Sequence, residues 1–136
     1  MLKKAVLLLL PLLLVFVSVG WFLRAFDYSD SALAGVYSYQ TDSIHCTLSL
    51  TQDFRYKQTL QFGTASSTTE GTWGRAGESG IVFSADFKLL PGQTRMSEGE
   101  VYGYFHRRFN LFMELTLQAS PTNYVLHKHI VFSRSN

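Results

Sequence analysis

The sequence predicts an all-β protein: an antiparallel up-and-down barrel of about eight strands, preceded by one N-terminal transmembrane or signal helix. Three observations predict it. Past Arg24 the apolar residues recur with a period of two rather than 3.6. Turn-forming residues break that pattern about every 10–14 positions. The first 24 residues follow another rule, a single uncharged apolar run between basic flanks.

That run comes first in the chain. Lys3 and Lys4 precede it, Ala5 opens it, Leu23 ends it and Arg24 closes it. At about 1.5 Å per residue, a helix over residues 5–23 nearly matches a bilayer core of about 30 Å. One reading is an uncleaved signal anchor, with Pro11 tolerated inside and Trp21 and Phe22 at the interface. The other is a cleaved signal peptide, with Ser18-Val19-Gly20 or Ala32-Leu33-Ala34 as the cleavage motif. Either way the basic N-terminal flank predicts a cytoplasmic N-terminus and an extracytoplasmic remainder. The organisation is thus residues 1–24 as anchor or signal peptide, 25–34 as a polar tether, and 35–136 as one barrel domain.

Residues 35–41 form the first predicted strand, with Tyr37 and Tyr39 on one face. Residues 43–51 form the second, placing Ile44, Cys46, Leu48 and Leu50 on the buried face. Gln52-Asp53 makes a tight turn. In the third strand, 54–62, Phe54, Tyr56, Leu60 and Phe62 alternate with Arg55, Lys57, Thr59 and Gln61, as expected of a sheet with one wet face. The Ser/Thr-rich stretch 63–69 reads as a loop, followed by a short fourth strand, 70–75, carrying Trp73. Residues 81–89 form the fifth strand and 91–99 a polar loop. The sixth strand is 100–107. The seventh, 109–117, sets Phe109, Leu111, Met113, Leu115 and Leu117 on one apolar face. The last, 124–132, points Tyr124, Leu126, Ile130 and Phe132 inward, with Lys128 the exception. A β-sandwich is the alternative architecture; barrel closure is preferred because it removes exposed sheet edges.

Gly35-Val36-Tyr37, then Leu48-Ser49-Leu50-Thr51-Gln52-Asp53-Phe54-Arg55-Tyr56, then Gly71-Thr72-Trp73, then Ile81-Val82-Phe83 follow a G-x-Y, L-x-L-x-x-D-x-x-Y, G-x-W, I-x-F order. Over residues 35–90 this resembles small exported bacterial proteins with a lipocalin-like barrel, most of them uncharacterised. The resemblance implies a fold and is nearly silent on function. One departure is that Phe54 stands where such turns usually carry Gly.

Composition narrows the function classes. Lys3, Lys4 and Arg24 are three of the 12 basic residues, so nine remain against all ten acidic ones. The exported part therefore has no basic field for nucleic acid. Cys46 is the single cysteine, so no intramolecular disulfide forms. No glycine-rich phosphate loop, nucleophile elbow or Cys–His signature occurs, and no cofactor is implied.

The sequence therefore predicts a membrane-anchored or exported non-catalytic module in the cell envelope. Its expected partners are the membrane through residues 5–23 and either an envelope protein or an apolar ligand. A ligand would meet Tyr56, Leu60, Phe83, Leu111 and Met113 in the barrel interior, with Lys128 as a polar anchor. The competing reading is a structural protein with a filled core. Two chemistries are weaker. His127 and His129, at i and i+2, share a strand face and have metal-ligand spacing. A hydrolase would need His106 and Asp86 beside a serine.

Overall fold

The computed structural model describes residues 2–25, 28–84, 86–95, 100–108, 112–118 and 124–128. Among them, eight strands close an antiparallel barrel in sequence order. They are β1 (Gly35–Gln40), β2 (Ile44–Leu50), β3 (Arg55–Phe62), β4 (Ala65–Arg75), β5 (Gly80–Phe83), β6 (Val101–Arg108), β7 (Phe112–Leu117) and β8 (Tyr124–Lys128). Tyr37 opposite Lys128 and Ser38 opposite His127 join β1 to β8. The barrel expectation holds, and the sandwich alternative does not.

The period-two pattern is the cause. Tyr37, Cys46, Leu48, Leu50, Tyr56, Trp73, Ile81, Phe83, Phe105, Leu115, Leu117 and Leu126 alternate with wet residues and are buried in one cluster. At about 25 cal/mol per Å² of apolar area, this cluster supplies most of the favourable folding energy. Gln58 continues the inward row of β3 and is buried with it.

Three elements differ from their sequence reading. The stretch 63–69 is not a loop: a two-residue turn at 63–64 leads into β4, whose residues 65–72 pair with β3 along its whole length. The Ser/Thr composition suggests a loop, but Thr68 and Thr69 are β-branched and the β3 partner decides. β5 stops at Phe83 rather than continuing to Leu89. There Ser84 N–H donates to Thr72 O at 2.9 Å, and the chain turns to bury Phe87 and Leu90 in the barrel mouth. Finally, the described part of the expected tether, residues 28–34, is structured. Asp30–Leu33 forms a short helix, α2, that buries Leu33 against the start of β1. Tyr37 hydroxyl donates to Leu33 O at 2.6 Å, Arg75 Nη1 to Tyr28 O at 2.7 Å, and Lys128 Nζ to Ala32 O at 2.5 Å.

Two glycines have steric reasons. A Cβ on Gly35, at φ 146°, would stand 2.5 Å from Lys128 Cε, so glycine clears the path of that side chain to α2. At Gly71 it would lie 2.4 Å from Ser84 Oγ and 2.7 Å from Tyr56 Cε1. Gly71 thus makes room for Tyr56. Phe54 takes the left-handed turn position itself, at φ 62°. Its ring packs 5.0 Å from that of Trp73, and its carbonyl accepts from Trp73 N–H. Phe54 and Phe62, expected inward, are exposed at the barrel ends.

Ahead of the barrel, helix α1 (Leu2–Ala25) carries Pro11 within it. Its described side chains are Pro11 and residues 13–23, and the large apolar ones among them are exposed. Among the described residues no helix is long and apolar enough to cross a membrane.

Candidate functional site

The chain's own side chains pack in the barrel interior. Tyr56 and Phe83 are buried, with ring centroids 5.4 Å apart. Phe87 enters from the segment after β5 and packs 4.2 Å from Phe83 and 5.4 Å from Tyr56. Met113 is buried and Leu60 half-buried against the same core. Leu111 lies outside the described residues. Tyr56, Phe83 and Met113 of the expected lining thus belong to the core cluster, with Leu60 packed against it.

Lys128 does point inward, as the period predicts, but α2 uses its charge. Its ammonium donates to Ala32 O and stands 5.7 Å above the Tyr37 ring. Burial, then the nearby Arg107 charge, pull its pKa down. Burial pushes the Tyr37 and Tyr124 hydroxyls and the Cys46 thiol up, so all three stay protonated and unreactive at neutral pH.

Toward the opposite mouth, Gln58 is 1% exposed and holds Lys88 in the segment after β5. Its amide nitrogen donates to Lys88 O at 2.7 Å, and its amide oxygen accepts from Lys88 N–H at 2.9 Å. One side chain thus supplies the two main-chain bonds that a neighbouring strand would otherwise make. The sequence signal for it was a polar residue on the inward row of β3.

The outer surface carries the site that the sequence reading missed. Met113, Leu115 and Leu117 of β7 face inward, so Glu114 faces out. Register sets it directly between His106 of β6 and His127 of β8. Glu114 Oε2 lies 2.7 Å from His106 Nε2, and Oε1 lies 3.2 Å from His127 Nδ1 and 3.8 Å from Arg108 Nη1. These neighbours leave the Glu114 side chain 9% exposed although it is on the outer face. They remain open themselves: the side chains of His106, His127 and Arg108 are 48%, 60% and 61% exposed. Arg108, Phe112, Glu114, His127 and Lys128 line a pocket of about 250 Å³ here. Phe112 gives it an exposed apolar wall.

This arrangement has a definite chemistry. A shielded carboxylate is hydrogen-bonded to the His106 imidazole and stands beside the His127 imidazole and the Arg108 guanidinium, all three on exposed side chains. Such a surface suits an acidic group on a partner, since Arg presents several donors in a rigid fork.

Of the expected metal pair, one member alone falls among the described residues. His127 goes to Glu114, His129 lies outside the described residues, and among the described residues no group of three His, Cys, Asp or Glu side chains is placed to hold a metal ion. The sketched hydrolase pairing is not formed either, because His106 meets Glu114 while Asp86 lies in the 84–95 segment. Of the strand tyrosines, Tyr37 is buried, Tyr39 packs on Tyr124 at 5.7 Å, and Tyr104 is exposed.

No protein-family model, no curated protein and no solved structure gives a significant match to the chain.

Proposed function

We propose that this chain is a membrane-tethered, extracytoplasmic, non-catalytic barrel that works by surface contact in the cell envelope. The observation that carries the reading is the filled interior. Tyr56, Phe83, Phe87, Met113 and Leu126 occupy the space that a lipocalin-like ligand would need, and α2 and residues 84–95 close the two ends. The contact surface in this reading is the outer face of β6–β8. There Arg108, His127 and Phe112 surround Glu114 and offer donors beside an apolar wall to an acidic group of an envelope protein. The membrane part rests on the uncharged run over residues 5–23, the basic pair before it and the exposed apolar side chains of α1.

Native mass spectrometry of the full chain purified from membranes tests the first part. The expected result is the bare chain mass. A stoichiometric lipid or other apolar adduct would return the function to the barrel interior. Protease shaving of intact cells or spheroplasts tests the second part. Residues 35–136 should be cut from the outside, and protection of the barrel would overturn the topology.

A further inference from the structure

β4 outruns its neighbour β5 by most of its length. Its residues 65–72 pair with β3, but β5 meets only Trp73, Gly74 and Arg75. The two-residue turn at 63–64 makes Phe62 and Ala65 the closing hydrogen-bonded pair, so residues 65, 67, 69 and 71 bond to β3. Residues 66, 68, 70 and 72 then direct their N–H and C=O groups away from it. Thr72 confirms the parity. Its carbonyl accepts from Ser84 N–H, and its N–H donates to Ser84 Oγ at 3.3 Å. Among the described residues no hydrogen bond takes up the outward main-chain groups of Ser66, Thr68 and Glu70, and all three residues are exposed.

Proteins usually blunt such an edge with proline, a bulge, several charges or a covering segment. Between residues 65 and 71 there is no proline, and Glu70 is the single charge. We propose that this edge pairs with the same edge of a second copy, antiparallel and centred on Thr68. That register sets Thr68 opposite Thr68 of the other copy, Ser67 opposite Thr69, and Ser66 opposite Glu70. Each copy donates and accepts at three residues, giving six main-chain hydrogen bonds. The side chains suit this occupant. Small hydroxyl residues meet one another, a cross-strand combination that stabilises sheets. The charges suit it too, because Glu70 meets a hydroxyl instead of its own copy and is balanced by Lys57 at 3.0 Å in its own barrel. The surface is thus self-complementary, as a two-fold interface requires.

The test is the oligomeric state of the full chain in a mild detergent, by light scattering after size exclusion. Two chains per particle are expected. T68P removes an outward N–H that β3 does not use, so the barrel should keep its circular dichroism and melting temperature. Dimerisation should weaken by roughly tenfold to a hundredfold, because two symmetric hydrogen bonds disappear together. T68K and T68E place like charges on the two-fold axis, so each alone should be monomeric and an equimolar mixture should pair. A monomeric wild type overturns the proposal, as does a dimer unaffected by T68P or a T68K–T68E mixture that stays monomeric.

Discussion

At one end of the barrel α2 is held through its main-chain oxygens; at the other, residues 84–95 are held by an amide and packed rings. Tyr37, Lys128 and Arg75 reach out to the carbonyls of Leu33, Ala32 and Tyr28, and of the α2 side chains only Leu33 is buried. The far plug is bound by Gln58 to the Lys88 backbone and by Phe87 to Tyr56 and Phe83. One closure tolerates changes in its own side chains other than Leu33, and the other depends on the Phe87 ring. Substitutions at the two ends should therefore differ in cost and in what they release.

The largest effect is expected at the aromatic end. Phe87→Ala should destabilise the barrel by about 3–5 kcal/mol, because a fully buried ring leaves a cavity between Tyr56 and Phe83. Chemical denaturation measures it, and a loss below about 1 kcal/mol would show that the segment is not part of the core. Leu33→Ala should cost about 2–4 kcal/mol. It should also speed amide exchange at Leu33 and Ala34, whose N–H groups bond to Ser29 and Asp30 carbonyls, while Lys88 stays protected. Equal loosening of both ends would erase the distinction between them.

Gln58→Leu keeps the volume but leaves Lys88 N–H and C=O without their partner, a loss of about 1–3 kcal/mol. Exchange at Lys88 should rise and exchange at Ala34 should not. Lys128→Met should change stability by only about 1 kcal/mol in either direction, since it removes both a hydrogen bond and the cost of a half-buried ammonium. Its pH dependence is more telling. The folded-state pKa of Lys128 lies below its unfolded value of 10.5, so between them the unfolded chain binds more protons and stability rises with pH. The stability of wild type relative to K128M should therefore climb as pH approaches 10.5. A flat difference across that range would mean that Lys128 is not shielded by α2. Cys46 and the buried tyrosines act oppositely in both proteins and cancel from the difference.

The barrel was legible because a two-residue period survives in β2, β3, β7 and β8, where one face is wet. The plugs were not, for opposite reasons. Asp30–Leu33 has tether composition and becomes helical only with Ser29 as its N-cap and the barrel mouth as its floor. Val82, Phe83, Phe87 and Leu89 look like a continuing strand, and nothing local marks Ser84 as the point where Thr72 captures the chain. The outer-face site was invisible for a third reason. His106, Glu114 and His127 are eight and thirteen residues apart, and only the register of three strands makes them neighbours. A glutamate inside an apolar strand was the available clue. It indicates a partner without naming one.

In the membrane-tethered form proposed above, the docking of α2 would also set how far the barrel can search. Ten free residues would have allowed roughly 35 Å of travel from the end of the apolar helix. With Tyr28 already gripped by Arg75, three peptide units separate it from Ala25, a contour of at most about 11 Å. The volume open to encounter shrinks accordingly, by more than an order of magnitude for a cube law in length. In the tethered form proposed above, a barrel held this close would meet partners that arrive at its own height, and lateral diffusion rather than reach would govern its encounters.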